Sequence, residues 1–349
     1  MRTVDFDYPL PPELIAQQPA AQRDLSRLLV LQRPKGHVTH RKFRDLVDYL
    51  RAGDVLVLNN SRVIPARLRA LKAGSEENSG NDWWAMLRPG KRVRAGTKLL
   101  LADRKGLPTE IDATVIEKNE EGHYRLQFSG TPNIVRVLDS IGETPLPPYI
   151  SRPGPNLFTE DRDRYQTVYA RGDGSVAAPT AGLHFTAPLL DEIRARGVEI
   201  CFVTLHVGLG TFAPVKSETP DQHLMHAEQF HVGAATAQAV SNARQTGRRV
   251  IAVGTTTLRA LETVAAENRG RLLESRGRTR IFIYPPRDFQ IADALLTNFH
   301  LPQSTLLMLV SAFAVPGQTG GRQMILAAYA EAIRERYRFY SYGDAMLIL

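Results

Sequence analysis

The chain has almost no cysteine. Its single thiol, Cys201, excludes an internal disulfide framework and a thiolate zinc site, and fits a reducing compartment. Set in the apolar run Val198–Val203, it reads as a buried structural group. No stretch is apolar enough to span a bilayer: the longest, Leu306–Val315, is interrupted by Ser311 and is too short. Met1–Leu10 carries acids and prolines where a signal peptide has its apolar core, so a cytosolic protein is expected. There is no Walker A phosphate loop, which argues against nucleoside triphosphate chemistry, and Gly208-x-Gly210 lacks the third glycine of a dinucleotide fingerprint. Internal repeats and low-complexity tracts are also missing.

What is present is an ordinary globular composition with an excess of base. The 349 residues, 43% apolar and 23% charged, allow one large or two medium domains with a substantial core. The net charge of +8 and isoelectric point near 9.7 point to a polyanionic partner, with a merely solvated basic surface as the alternative. The basic residues cluster at Arg88–Arg94, Arg152–Arg171, Arg244–Arg249, Arg269–Arg280 and Arg334–Arg338.

Two textures alternate along the chain. Phe43, Leu46, Val47 and Leu50 fall at helical spacing, and Gly53-Asp54 turns into the apolar strand Val55–Leu58. From Arg62 to Ile150 helical periodicity is missing. Short runs at Arg67–Leu71, Trp83–Leu87, Lys98–Leu101, Ile111–Ile116 and Tyr124–Phe128 predict a small all-β barrel, with Gly74–Asp82 as a mobile hairpin loop. Beyond the proline-rich seam Pro145–Pro155, helices are predicted at Leu189–Arg196, Thr236–Arg244, Leu258–Glu267 and Thr305–Phe313. Strands are predicted at Val198–Leu205, Arg249–Val253, Arg280–Tyr284 and Asp293–Thr297. Strands spaced by helices imply a parallel or mixed sheet covered on both faces. The expected fold is an α/β/α sandwich formed by residues 1–62 and 152–349, into which residues 63–151 insert as the small barrel.

Candidate chemistry lies where apolar strands end in small polar residues. Val55–Leu58 runs into Asn59, Asn60, Ser61 and Arg62; Val250–Val253 runs into Gly254, Thr255 and Thr256; Leu295-Leu296 runs into Thr297, Asn298, Phe299 and His300. Open α/β sheets bind ligands at the carboxyl ends of strands, so three such ends predict one shared crevice, although each alone reads as an ordinary turn or cap. Leu205–Phe212 adds His206, Gly208, Gly210 and Thr211. Ser175–Thr186, reading SVAAPTAGLHFT, lacks helical or strand periodicity and bulk; it offers amides, hydroxyls and the His184 imidazole beside a helix start that Thr186 caps. Thr180, Gly182 and Phe185 belong to the same stretch, and Tyr165 and Gln166, just before it, either contact substrate or anchor the loop. The run His223, His226, Glu228, His231 does not have the spacing of His-Glu-x-x-His, so no metal is expected; His226 and Glu228 fit better as proton carriers in a polar wall. The aromatic and basic tail Tyr337–Tyr342 is either docked on the sheet or a stacking platform, with Arg338 available to nucleic acid in both cases.

Ser175–Thr186 resembles a signature of the S-adenosylmethionine:tRNA ribosyltransferase-isomerases of queuosine biosynthesis. Further blocks match along the whole chain, in the family's order: Asp5–Tyr8 with Leu14–Gln17, GDVLVLNNSRVIPARL at Gly53–Leu68, LHVGLGTFAPV at Leu205–Val215, Met225–Glu228, VIAVGTTTLRALE at Val250–Glu262, Asp293–Phe313, and the tail Tyr337–Leu349. One departure is Pro285-Pro286-Arg287, where the family commonly has Pro-Gly, so the local turn must differ. The resemblance implies an α/β/α sandwich with an inserted β-barrel. It also implies transfer and isomerisation of the ribosyl part of S-adenosylmethionine onto 7-aminomethyl-7-deazaguanine in a tRNA anticodon loop, giving epoxyqueuosine with release of adenine and methionine. S-adenosylmethionine and that tRNA are then the partners of a monomeric protein with no metal and no membrane. His184, His206, His300 and Glu228 become the acid–base and charge-bearing candidates, since histidine titrates near neutrality and an unpaired sulfonium in a dry site is costly. An S-adenosylmethionine-dependent tRNA methyltransferase and a non-catalytic RNA-binding protein are the competing readings.

Overall fold

The computed structural model describes the chain except residues 34, 74–80, 88–92, 121, 153–157 and 209–214, and the side chains of 69–73 and 158–159. The chain divides into two compact units. One comprises Met1–Val63, Leu146–Gly154 and Asp163–Leu349; the other comprises Ile64–Pro145 and Pro155–Arg162.

The first unit is built on a nine-stranded mixed sheet. Its centre is β3 (Val55–Asn59), flanked in parallel by β11 (Glu199–Leu205) and β13 (Val250–Val253), with β15 (Ala294–Asn298) parallel to β13. Beyond β15 come β16 (Ala345–Ile348), antiparallel to it, then β1 (Arg27–Gln32), parallel to β16, and the edge hairpin partner β2 (His37–Lys42). On the other side β12 (Glu228–Val232) and the edge strand β14 (Ser275–Thr279) continue antiparallel. The unbroken VLVL of β3 suits a strand buried on both faces. Val55 and Val57 join the core beneath α4 (Ala234–Gln245), α5 (Thr255–Glu267), α6 (Thr305–Ala314) and α7 (Gly321–Arg334). Leu56 and Leu58 join the opposite core with α3 (Ala187–Ala195) and the 3-10 turn Phe43–Tyr49. Helix starts follow local chemistry: Thr186 and Ser304 accept from the amides of Leu189 and Leu307, at 3.3 and 3.2 Å, and so cap α3 and α6.

The second unit carries a five-stranded antiparallel sheet in the order β5 (Arg69–Ala73), β7 (Lys98–Ala102), β8 (Pro108–Lys118), β9 (Tyr124–Ser129), β6 (Asn81–Ala85). Among the described residues no pairing joins β5 to β6. The unit is not all-β, as its sequence pattern predicts: α1 (Ile134–Ile141) packs Ile134, Leu138 and Ile141 onto the sheet. Asn133 accepts from the Val135 amide at 2.9 Å to start that helix. Asn81 and Asp82, expected in a hairpin loop, open β6; the rest of that loop, 74–80, lies outside the described residues.

Two further expectations are corrected. The apolar run 280–284 is not a strand. Its Ile283 is buried in the core while the polar Ser275–Thr279 takes the sheet edge, where one face meets water and apolar side chains are not needed. The Pro285–Pro286 bond that follows is cis. Ser175–Thr186 is not poor in core either: Ala177, Ala181, Leu183 and Phe185 are all buried. None of the described helices is long and apolar enough to cross a membrane.

Candidate active site

Parallel pairing of β11, β3, β13 and β15 brings their carboxyl ends to one edge of the sheet. The Asn59 side chain ties these ends together. Its amide nitrogen donates to the Leu205 carbonyl (2.9 Å) and to Thr256 Oγ1 (3.1 Å), and its oxygen accepts from the amides of Ser61 (3.0 Å) and Leu205 (3.1 Å). The capacity of that side chain is used within the fold, so Asn59 braces the site and does not reach out of it. Gly254 turns β13 into α5 at a φ of 90°, which favours glycine, and its amide donates to the Leu296 carbonyl of β15 at 2.7 Å. Among the described residues no side chain caps α5 from Gly254, so the amides at the start of Thr255–Glu267 remain available to a ligand. Thr255 and Thr256 are buried beside them, and Thr257 donates to the Val253 carbonyl at 2.6 Å.

Three histidines meet this edge in different states. His206 follows β11 and is half-buried; Ser61 Oγ lies 2.7 Å from its Nδ1. Its Nε2 has no hydrogen-bond partner among the described residues. Burial lowers its pKa, while Asp173 opposes the shift, so the ring is neutral at pH 7. His184 is buried and stacked on Phe43 with ring centroids 4.9 Å apart. Asn298 Nδ2 donates to its Nε2 at 3.2 Å, so Nδ1 carries the proton and donates to Ser26 Oγ at 2.7 Å; the Ser26 hydroxyl in turn donates to the Arg23 carbonyl. His300 has Nε2 2.9 Å from Thr297 Oγ1, and its main chain is held by Tyr329 and Tyr8. Burial, assisted at His184 by Arg338 and Arg23, pushes both pKa values down to about 3.

These two buried rings predict the acid behaviour of the fold. Between about pH 6.5 and about pH 3 the unfolded chain binds protons that the folded chain refuses, so stability falls as pH drops through that window. Each ring adds a slope approaching about 1.4 kcal/mol per pH unit. Urea unfolding at pH 7.5 and 5.5 should show the loss, and His300→Gln should show less of it. Equal losses in both proteins would mean His300 is not held neutral.

The other candidates separate into surface and scaffold. Asn60 takes a hydrogen bond from Thr204 Oγ1 at 2.7 Å and stays partly exposed, as does Thr180 at the start of the 3-10 turn Thr180–His184. Arg62 is exposed and 3.7 Å from Asp173. Tyr165, Phe185 and Phe299 are fully buried. Gln166 embraces the main chain of Val63, its oxygen accepting at 2.9 Å and its nitrogen donating at 3.1 Å. Gly182 permits close packing, since a Cβ there would lie 2.1 Å from the Tyr169 hydroxyl. His226 is partly exposed; Gly210 and Thr211 lie outside the described residues. The tail is docked: Tyr337, Phe339, Tyr340 and Tyr342 are buried, and only Arg338 stays half-exposed, 3.6 Å from Asp344.

Glu228 is already neutralised. It forms a buried ion pair with Arg259 on α5, and its other oxygen accepts from the Gly208 amide at 3.1 Å. Its charge is thereby matched within the fold. Sequence reasoning does not single out Arg259, although an arginine one turn into the helix TTTLRALETVAAE, where it is the sole basic residue, is the available signal. Nor does it single out Ser26 or Thr204. Among the described residues no group of three or more His, Cys, Asp or Glu is placed to hold a metal.

Fold and site geometry together define an α/β protein that gathers hydroxyls, amides and the half-buried His206 imidazole at the carboxyl-end edge of its parallel strands, the place where open α/β sheets bind ligands. The chain belongs to the queuosine biosynthesis protein family, whose model matches residues 3–348. A solved structure of the S-adenosylmethionine tRNA ribosyltransferase from Thermotoga maritima is similar to it at 37% identity, with 99% of this chain and 100% of that one covered and a TM-score of 0.55.

Proposed function

We propose that this protein is an S-adenosylmethionine:tRNA ribosyltransferase-isomerase. It transfers the ribosyl group of S-adenosylmethionine to the aminomethyl nitrogen of 7-aminomethyl-7-deazaguanine in a tRNA anticodon loop, with rearrangement to an epoxycyclopentane and release of adenine and methionine. The full-length likeness to the Thermotoga maritima enzyme carries this reading. On the same reading the five-stranded sheet of the second unit corresponds to the family's inserted barrel, and the protein works as a cytoplasmic monomer without a metal.

The chemistry asks for a base at the acidic ribose carbon beside the sulfonium and an acid for the departing adenine. His206 suits proton transfer, being neutral, partly accessible and oriented by Ser61 through one ring nitrogen. His184 has both nitrogens engaged and suits positioning. The site also fits a sugar whose hydroxyls must be held while its ring is rebuilt: Asn298 Oδ1 is a buried acceptor without a partner among the described residues, at the same sheet edge as the buried hydroxyl of Thr255. S-adenosylmethionine labelled separately in the methyl group and in the ribose tests the reading. Ribose label should enter the tRNA, methyl label should leave as methionine, and free adenine should form. Methyl label in the tRNA without ribose label would establish a methyltransferase instead.

A further inference from the structure

Strand β10 (Gly172–Ser175) lies outside the main sheet and pairs in parallel with β4 (Ser61–Val63), the strand that carries Ser61. Its sequence is Gly-Asp-Gly-Ser, an unfavourable one for a strand, because glycine there costs chain entropy and packs no side chain. The strand is nevertheless fastened on both sides of His206. The amides of Arg171 and Gly172 donate to the Asn60 carbonyl at 2.9 and 3.3 Å. Ser175 Oγ accepts from the Val207 amide at 3.0 Å, and the Val176 amide donates to the Val207 carbonyl at 3.1 Å. A segment held this firmly gains nothing from the flexibility of two glycines.

The imidazole accounts for them. Pairing with β4 slips by one residue between Asp173 and Ser175, and Gly174 occupies that bulge at a φ of 137°. A Cβ there would lie 3.1 Å from Cε1 and 3.2 Å from both Nδ1 and Nε2 of His206. Near-equal distances to three consecutive ring atoms put that carbon over the face of the ring, not at its edge. A Cβ on Gly172 would stand 3.8 Å from the same Cε1. Asp173, between the two, is exposed and 3.7 Å from Arg62. We propose that Gly172 and Gly174 are positioning residues for the reaction, their bare backbone being the seat on which the His206 ring lies flat while Ser61 holds Nδ1; the inference rests on the ribosyl-transfer reading above. Seat and hydrogen bond together fix the plane and the rotation of the ring, so the direction of Nε2 is set before substrate arrives. Proton transfer depends steeply on such alignment. Positive φ alone would require glycine at 174, but Gly172 lies outside that region and is explained only by the ring and by Thr204, whose Cγ2 a Cβ would meet at 3.3 Å.

The test is single-turnover ribosyl transfer, KM for S-adenosylmethionine and Tm in wild type, Gly174→Ala, Gly172→Val, His206→Ala and each glycine variant combined with His206→Ala. Gly172→Val is a second route to the same crowding, because its backbone is open to any residue and its methyls extend past the Cβ. Both glycine variants should slow turnover by about tenfold or more with KM unchanged. Neither should slow the His206→Ala protein further, since no imidazole is left to displace. Equal fold-losses with and without the imidazole would make the glycines braces of the strand and overturn the proposal. Near-normal turnover in folded Gly174→Ala would overturn it too; if that variant does not fold, Gly172→Val decides by the same two outcomes. A wild type that transfers no ribose label to the tRNA would instead overturn the ribosyl-transfer reading itself.

Discussion

His206→Ala should lower the single-turnover rate of ribosyl transfer by about a hundredfold or more, the usual contribution of a general acid or base, while Tm is nearly unchanged. The reasons are local. The ring sits at the carboxyl end of β11, half-buried, with Ser61 on Nδ1 and no partner among the described residues on Nε2. Its lowered pKa keeps it in the base form at neutral pH. If it removes a proton, the rate should fall as pH drops through that depressed pKa, below about 6.5. Asp173 opposes the depression, so Asp173→Asn should move the acid limb further down. His184→Ala and His300→Ala should behave differently, losing stability through broken buried networks. Near-normal single turnovers in folded His206→Ala would move the proton-transfer role elsewhere.

Arg259→Met should destabilise the protein by about 3 to 5 kcal/mol in urea unfolding, because it strands the Glu228 carboxylate in a buried site. Glu228 also receives the Gly208 amide, so the loss reaches the chain just beyond β11. Glu228→Leu should cost a similar amount by leaving Arg259 uncompensated. The double variant should recover much of the loss, since a buried ion pair replaced by apolar groups of similar volume is often close to neutral. Additive losses would show that the two charges do not depend on each other.

Part of this site is legible in the amino-acid sequence. Apolar strands ending in Asn-Asn-Ser, Gly-Thr-Thr and Thr-Asn-Phe-His announce loops at the carboxyl ends of parallel strands, because a fully buried strand must finish where its polar groups find partners. The caps Thr186 and Ser304 are legible for the same local reason. The roles within those loops are not. Asn59 and Asn298 look alike in sequence, yet one spends its amide on Leu205, Ser61 and Thr256 while the other keeps an oxygen without a partner among the described residues. Three histidines of similar appearance become one half-buried ring and two neutral rings sealed in the core, since burial depends on what the rest of the chain lays over them.

The one-dimensional pattern also misjudges elements that depend on distant partners. The apolar run 280–284 has the composition of a strand, but the sheet edge needs a strand tolerant of water, and Ser275–Thr279 supplies it. Helix α1 escapes notice because its eight residues, Ile134–Ile141, are few for periodicity to stand out. Sequence by itself determined the family, the alternation of strands and helices, the basic character and the strand ends that carry polar residues. Tertiary structure alone decided that Arg259 cancels Glu228, that Gly174 lies against the ring of His206, and which histidine meets solvent. Each of these depends on long-range proximity and burial, and a charge or an imidazole takes its properties from neighbours that the chain places tens or hundreds of residues away.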